Sequence, residues 1–474
     1  MSLFLASILF IFCIIVYGFL VDLILIGFSN PGKRPFAIIM PSFSKLPLYF
    51  ALGAALYTFW ATLLSINGIK LTLLKFFISV ILLMLFNIFL YGPSFWKNRR
   101  PDKMLYRISA IKAADWFVIM IVSMIVILCI LKMLTQMAFP SFGIDLLGHL
   151  LSKAKILLYS TYKDSFFLHD PLFANLHSNY PPMFGIFYNL LFLFVGGALN
   201  SCYHIVHIFI LFSIGYAIYI FLSQRISKVQ AVIWFFIFIS AKIYMARLMD
   251  GADVFLSLFF LLAACEFYRF LDTGRIYHVL TFAILSAGGV LLKNEGLIFA
   301  ALAAIMILLY PRQELCKKKF YKAIFLLILA ALTVPWLFYR FTLPAPDETH
   351  ENLLMNFNLV SSLPYLPSTT AAFVKLLFSW FWHGIFILWP AAFVLFFKQK
   401  AQSRMLSLSL LAFGQLASYL LIFWACYGKM IQDHIGGIAR LMAHCYPIAL
   451  ITVASAAGLF FFKAASDSER IGKV

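Results

Sequence analysis

Apolar segments of about 20 residues follow one another along most of the chain, and they constrain its fold more than any other feature. A helix of that length crosses the roughly 30 Å hydrocarbon core of a bilayer. Backbone exposed to lipid must satisfy its own hydrogen bonds, which excludes open sheets. Hydrophobic residues make up 64% of the 474 residues and charged residues only 12%, half or less of the share in a soluble domain. The sequence therefore predicts an all-α polytopic membrane protein.

Positive charge in the short loops sets the predicted topology. The chain carries 37 Lys and Arg against 18 Asp and Glu, a formal net charge of +19. Because these cations lie between apolar runs, the positive-inside rule explains them, and nucleic acid is not an expected partner. The basic loops assigned to the cytoplasm are 32–34, 97–112, 223–228, 269–275, 316–322 and 398–404. This assignment predicts roughly 13 transmembrane helices, near 4–27, 47–67, 70–92, 115–138, 203–222, 229–246, 251–268, 277–292, 296–310, 322–342, 373–397, 405–425 and 445–462.

Polar residues that this topology does not explain collect on the opposite, extracytoplasmic side. The segments on that side are 139–202, 247–250, 293–295, 343–372 and 426–444. A transporter typically places ionisable residues near the bilayer midplane and contains two similar halves, and the sequence indicates neither. The pattern favours a catalytic or binding surface at the outer interface.

We divide the chain into three parts. A three-span extension with a basic cytoplasmic loop covers 1–114, a transmembrane catalytic domain covers 115–462, and a cytoplasmic tail covers 463–474. The catalytic domain contains an outer catalytic loop, 139–202, and a second outer loop, 343–372. The first apolar run has no basic n-region and no clear cleavage site, which is typical of a retained span. The seven scattered cysteines form no CxxC pair and predict neither a disulfide framework nor a zinc site.

The segment 142–160, FGIDLLGHLLSKAKILLYS, has the spacing of an amphipathic helix. Asp145, His149 and Lys153 share one helical face, and leucines occupy the other. Such a helix can lie in the membrane interface and present its polar face to water. The alternative is the solvated face of an ordinary surface helix.

A second polar element, LHDPLFANLHSNYPPMFGIFYNLL, covers 168–191. The pair Pro181-Pro182 disfavours a helix before it and permits one to start there. We therefore predict a rigid turn at Tyr180 that leads into a second interface-lying helix. His177 could bind a substrate hydroxyl or phosphate, although a single loop histidine is more often structural.

Two shorter motifs lie at predicted span ends. In MARLMDGADV, 245–254, Asp250 is a candidate helix N-cap or a group that orients a sugar. In LLKNEGLIF, 291–299, Lys293 and Glu295 interrupt an apolar run. Charged residues there must lie at the interface or face a wet cavity, and Lys293 is well placed to meet a lipid phosphate. The alternative is a plain tight turn.

The last polar motif is IQDHIGGIARLMAHCYPIAL, 431–450, at the predicted outer start of the final span. The planar guanidinium of Arg440 suits phosphate or pyrophosphate, although an interfacial arginine can also simply snorkel. Nucleotide-binding and hydrolase motifs such as the P-loop and GxSxG accompany none of these groups. The expected donor is therefore a membrane-borne, phosphate-activated lipid.

Together these motifs resemble the GT-C superfamily of membrane glycosyltransferases, most of all its bacterial branch related to protein O-mannosyltransferases and aminoarabinose transferases. In that branch a K-A-K element begins eight residues after an outer aspartate, as Lys153-Ala154-Lys155 follows Asp145 here. The other matching elements are Tyr180-Pro181-Pro182 preceded by His177, Asp250, Lys293 to Gly296 as K-N-E-G, and Arg440 followed by Pro447. The tryptophans usual around the aspartate are absent, with Ile144 and Leu150 in their place. The resemblance covers 115–450.

The resemblance implies a GT-C-like fold with interface-lying helices in the first large outer loop. It implies that Asp145 is the general base and that Lys293 and Arg440 bind the donor phosphate. The residues it implies for binding or orienting substrate are His149, Lys153, His177, Tyr180, Asp250 and Glu295. Members need no nucleotide, and a divalent metal assists in some of them. No metal ligand and no cofactor beyond the polyprenyl-phosphate sugar donor is predicted here.

The predicted function is transfer of a sugar from a polyprenyl-phosphate donor to an envelope lipid, glycan or protein, with inversion, at the outer face of the plasma membrane. The expected partners are membrane lipids, the lipid-linked donor and the acceptor. The alternative is a transporter or flippase of lipid-linked saccharides, which would use the same cations without a base at Asp145. A further alternative is an envelope ligase or acyltransferase, which would depend on His149.

Overall fold

The computed structural model describes residues 3–29, 42–97, 151–171, 173, 180–198, 202–241, 252–309, 319–344, 362–379, 382–398, 403–427 and 435–471. Within these ranges every regular element is a helix, which confirms the all-α prediction for this part of the chain. The α-helices are α1 Leu3–Ser29, α2 Leu46–Ile66, α3 Leu73–Lys97, α4 Leu151–Tyr159, α5 Phe166–His169, α6 Met183–Val195, α7 Cys202–Ser223, α8 Lys228–Ser240, α9 Ala252–Thr273, α10 Ile276–Leu292, α11 Glu295–Leu309, α12 Lys319–Arg340, α13 Leu366–Leu377, α14 Ile385–Lys398, α15 Ser403–Tyr427 and α16 Ile435–Ile471. Short 3-10 turns, Phe43–Lys45 and Leu363–Tyr365, precede α2 and α13.

Eight of the described helices are long and apolar enough to cross a membrane. They lie in α1, α2, α3, α7, α9, α12, α15 and α16. Within the described residues three predicted spans are shorter helices, α8, α10 and α11, of 13, 17 and 15 residues. At about 1.5 Å per residue each is shorter than the roughly 30 Å hydrocarbon core. The predicted span at 115–138 lies outside the described residues. The chain is therefore a helical membrane protein by length and composition, with eight candidate spans in its described part.

The predicted span at 373–397 is interrupted. α13 ends at Leu377 and α14 begins at Ile385. Between them His383 and Gly384 have φ angles of 47° and 71°, in the left-handed region that a right-handed helix cannot continue through. Trp382 is fully buried there and donates from its indole nitrogen to the Leu376 carbonyl at 2.9 Å. A break in apolar sequence is tolerated where protein surrounds the irregular backbone, as it does around Trp382.

The hydrophobic core includes the first two helices. The Phe50 ring of α2 is fully buried and meets Phe187 of α6 and Phe255 of α9, with ring centroids 5.8 Å apart in both pairs. Phe10 of α1 contacts Phe187 from another side at 4.9 Å. Helices α1 and α2 therefore share one core with the helices of the predicted catalytic domain.

A close crossing holds α1 against α2. Gly18 faces Tyr49 and Gly53 so closely that a Cβ on it would lie 1.7 Å from the Tyr49 carbonyl oxygen. A Cβ on Gly53 would lie 2.1 Å from the Ile14 carbonyl oxygen. Small residues at such crossings let helix backbones approach in a membrane, where packing contacts supply much of the attraction between helices.

Candidate functional site

Asp253, in the first turn of α9, is the centre of a buried ionic cluster. Its carboxylate accepts from Lys293 Nζ at 2.6 Å and from Arg440 Nε at 2.7 Å, one oxygen each. His444 Nε2 lies 3.0 Å from the oxygen that also binds Lys293. The Asp253 side chain is only 2% exposed, so its charge depends on these three partners. We call Asp253, Lys293, Glu295, Arg440 and His444 the Asp253 cluster.

Lys293 joins two carboxylates. It lies in extended backbone between α10 and α11, and its ammonium is 2.8 Å from Glu295 Oε1. Burial disfavours the charged amine, but the carboxylates of Asp253 and Glu295 outweigh burial and raise the pKa of Lys293 above its ordinary value. Lys293 therefore stays cationic. Its position depends on Gly296, where a Cβ would lie 2.1 Å from the Gly289 carbonyl oxygen.

The cluster extends into α15 through His444. Because His444 Nε2 faces a carboxylate, that nitrogen carries the proton, and the tautomer follows from its partners. Nδ1 is then the acceptor for the Tyr419 hydroxyl at 2.9 Å. One helical turn earlier, Gln415 Nε2 donates to the main-chain oxygen of Glu295 at 3.3 Å. The polar contacts thus tie α9, α10, α11, α15 and α16 together at one end of the bundle.

Lys153 and Tyr180 lie on another side of the cluster. Lys153 Nζ is 3.4 Å from the Tyr180 main-chain oxygen and 5.5 Å from the centroid of its ring. Burial, then the Glu295 carboxylate, raises the pKa of Tyr180, while Lys293 lowers it. The phenol therefore lies within electrostatic range of these charged side chains. Pro181-Pro182 immediately precede α6, so the predicted start of a helix there is confirmed.

Arg340, the last residue of α12, adds a further cation. Its Nη1 donates to the Asn294 side-chain oxygen at 3.2 Å, beside Lys293 and Glu295. Among the described residues no carboxylate lies within ion-pair distance of this half-buried guanidinium. Within the Asp253 cluster two acids balance Lys293 and Arg440. Among the described residues Arg340 therefore adds positive charge to this end of the bundle, which suits an anionic group.

No match to this chain is found among family models, curated proteins or solved structures.

Five residues assigned from the sequence come together here: Lys153, Tyr180, Lys293, Glu295 and Arg440. Four others lie outside the described residues: Asp145, His149, His177 and Asp250. The helix predicted for 142–160 is present over its described part, α4. Of the predicted polar face only Lys153 is described, and it does not face water: it is 1% exposed and buried with Leu151 and Ala154.

Sequence reasoning gave no site role to several residues of this end: Asp253, His444, Gln415, Tyr419 and Arg340. A signal existed for the first two. Asp253 is an ionisable residue at the start of the long apolar run of α9, which in a membrane protein indicates function or a partner. His444 follows Arg440 by four residues and so shares its helical face.

No group of three or more potential metal ligands occurs among the described residues.

A second buried ionic network lies toward the other end of the same helices. Asp22 of α1 accepts from the Tyr277 hydroxyl and from Lys45 Nζ, the latter at 2.9 Å. Glu266 of α9 accepts from Arg269 and lies 2.6 Å from His278 Nδ1. Thirteen residues separate Glu266 from Asp253 in α9, or about 20 Å at the rise of an α-helix. Ionic contacts therefore join helices near both ends of the bundle.

Proposed function

We propose that this chain is an integral-membrane glycosyltransferase that transfers a sugar from a polyprenyl-phosphate donor to an envelope lipid, glycan or protein. The observation that supports this most is the buried Asp253 carboxylate that binds Lys293 and Arg440, with the Glu295 carboxylate beside Lys293. Cations there can bind a phosphate, and carboxylates can bind sugar hydroxyls. We assign the cluster to the extracytoplasmic face of the plasma membrane and the chain to a GT-C-like fold with interface-lying helices.

The proposed reaction is one in-line displacement at the anomeric carbon. The acceptor hydroxyl oxygen bonds to that carbon while the bond from carbon to the phosphate oxygen breaks. Asp145 takes the hydroxyl proton, and the phosphate leaves with the bonding electron pair. Because phosphate is a good leaving group, a single base and positive charge at the phosphate are enough. The configuration at the anomeric carbon inverts.

The leaving phosphate needs cations whose side chains it can reach. Lys293 is enclosed by two carboxylates, so we assign it to the positioning of Asp253 and Glu295. Its positive charge would act on the phosphate at longer range, without direct contact. Arg440 binds Asp253 through Nε, and its side chain remains 23% exposed. Arg340 is held by the neutral Asn294. The two guanidiniums are therefore the groups we assign to direct contact with the phosphate.

A comparison of envelope glycans and lipids by mass spectrometry tests the activity without knowledge of the sugar. Cells that lack the chain should lose a species that differs from its precursor by one monosaccharide. The wild-type chain should restore it. Asp145→Asn should not, because the amide cannot accept the acceptor proton, although it should reach the membrane at the wild-type level. An unchanged glycan profile in the deletion, or full restoration by Asp145→Asn, contradicts this assignment.

Arg340→Gln should weaken binding of farnesyl phosphate, a short polyprenyl phosphate, by about tenfold to a hundredfold, because a hydrogen bond to a charged group contributes about 1.5–3 kcal/mol. Titration of the purified chain in nanodiscs measures this. Lys322→Gln is the matched control. It removes one positive charge from the same helix, but at its other end, where Lys322 donates to the Leu308 carbonyl. Equal affinities for the two variants would remove Arg340 from the phosphate site.

One observation favours the alternative of a transporter or flippase. Buried ionic networks near both ends of α9 resemble two gates on either side of a path. Proteoliposomes that contain a fluorescent polyprenyl-phosphate sugar separate the two functions. Movement of the lipid between leaflets without formation of a glycosylated product supports transport. Product formation that Asp145→Asn abolishes supports transfer.

A further inference from the structure

Two buried oxygen atoms next to the Asp253 cluster have no hydrogen-bond donor. Glu295 uses Oε1 to bind Lys293, but its Oε2 has no partner. Gln415 uses Nε2 to bind the main-chain oxygen of Glu295, but its Oε1 has no partner. The Gln415 side chain is 1% exposed. Buried oxygen atoms of this kind are rare in folded proteins, and each calls for an explanation.

The orientation of the Gln415 amide follows from its neighbour. Only the NH2 group can donate to the Glu295 carbonyl, and the flipped amide would place two oxygens against each other. Gln415 Oε1 is therefore an acceptor by necessity. The Gln415 amide binds the main-chain oxygen of Glu295, so both residues with an unpaired acceptor meet where the start of α11 packs against α15, which we call one corner of the site.

The chemistry of this corner differs from that of the cations. An ionised carboxylate and an amide oxygen attract hydroxyl or amine hydrogens and repel phosphate oxygens. Arg340 and Arg440 have the opposite preference. A ligand with an anionic end and a hydrogen-bond-donating end would satisfy both, and a sugar attached to phosphate has these two ends.

We propose that Glu295 Oε2 and Gln415 Oε1 form an acceptor pair that binds the sugar of the lipid-linked donor through two of its hydroxyl or amine groups. This inference rests on the proposed function and adds Gln415 as a residue that determines sugar specificity. It restricts the donor to sugars that keep two free hydrogen-bond donors. A bare polyprenyl phosphate fills only the cationic part of the site.

Binding of two kinds of probe to the full chain in nanodiscs tests the pair. One probe is farnesyl phosphate. The others are farnesyl phosphates that carry glucose, mannose, galactose or arabinose. At least one glycosylated probe should bind the wild-type chain about tenfold more tightly than farnesyl phosphate, the gain expected from hydrogen bonds to buried acceptors. Gln415→Met, which has similar size and no acceptor, should lose this gain and keep its affinity for farnesyl phosphate.

Asn87→Leu is the control, because it also removes a buried side-chain amide but does so outside the candidate site. Asn87 also donates to main-chain oxygens and leaves its side-chain oxygen unpaired, but it lies in α3 and contacts α1. The variant should keep the gain from the sugar. No gain with any sugar on the wild-type chain, or a full gain in Gln415→Met, overturns the acceptor pair and indicates that water fills this corner. Failure of farnesyl phosphate itself to bind the wild-type chain counts against the proposed function instead.

Discussion

Asp253→Asn should destabilise the chain by about 3–5 kcal/mol, because removal of one partner from a buried ion pair leaves an uncompensated charge. In this variant one acid of the cluster, Glu295, would remain for two cations, Lys293 and Arg440. The amide would also turn its NH2 group toward Arg440, or toward Lys293 and His444, because these donors are divided between the two carboxylate oxygens. Thermal unfolding of the purified chain in detergent measures the loss. Sugar transfer should fall with it, since the same residues are assigned to donor binding.

The double variant Asp253→Asn with Lys293→Met distinguishes charge imbalance from loss of packing. It leaves one acid, Glu295, and one base, Arg440, so most of the lost stability should return. Asp272→Asn is the surface control. Asp272 pairs with Arg404, and their side chains are 47% and 33% exposed. Such pairs contribute about 0–1 kcal/mol. An Asp253→Asn chain as stable as wild type would mean that the buried carboxylate does not hold these helices together.

The position of the cluster could be predicted from the sequence because charge is costly in hydrocarbon. Lys293 and Glu295 interrupt an apolar run and Arg440 lies near a predicted span end, so each had to lie near an interface or meet partners. The alternation of basic loops then assigned all three to the same side. These inferences need only local patterns and topology, and the contacts among the three segments agree with them.

The central carboxylate could not be chosen from local patterns. Asp250 and Asp253 both lie near the start of α9, and the sequence favours Asp250 as an N-cap or a sugar-orienting group. Asp253 accepts from residues 40, 187 and 191 positions away. Hydropathy and helical spacing hold no information on such long-range pairs. These contacts form only when α9, α10 and α16 pack together.

Lys153 illustrates a second limit. The helical spacing places Lys153 on a polar face that would point to water. This prediction assumes that only the opposite, leucine-rich face of α4 packs against other helices. In the structure Gly185 of α6 approaches α4 so closely that a Cβ on it would lie 3.1 Å from the Lys153 Cβ. The Tyr180 ring and main-chain oxygen then accommodate the ammonium. Tertiary contacts of this kind can bury a residue that its helical spacing predicts to be exposed.

Gly296→Ala should be the most damaging substitution of a small residue at the site. The added methyl carbon would lie 2.1 Å from the Gly289 carbonyl oxygen and 2.2 Å from its carbon. Both atoms are backbone, so no side-chain rotation can relieve the overlap, and α10 and α11 must separate. We expect a loss of about 3 kcal/mol or more, at or above the upper range for overpacked sites. Thermal unfolding and farnesyl phosphate binding should both reveal it.

The binding loss follows from the turn itself. The Gly289 carbonyl accepts from the Lys293 main-chain nitrogen at 3.0 Å, and the Gly296 nitrogen donates to the Lys293 carbonyl at 2.9 Å. Displacement of either glycine therefore moves Lys293 away from Asp253. Gly289→Ala is the matched control, since its methyl would meet Phe260 and Leu256 side chains at ordinary distances of 3.4 and 3.5 Å. That variant should be neutral or gain up to about 1 kcal/mol from helix propensity. Equal losses in the two variants would show that the close approach of α10 to α11 does not position Lys293.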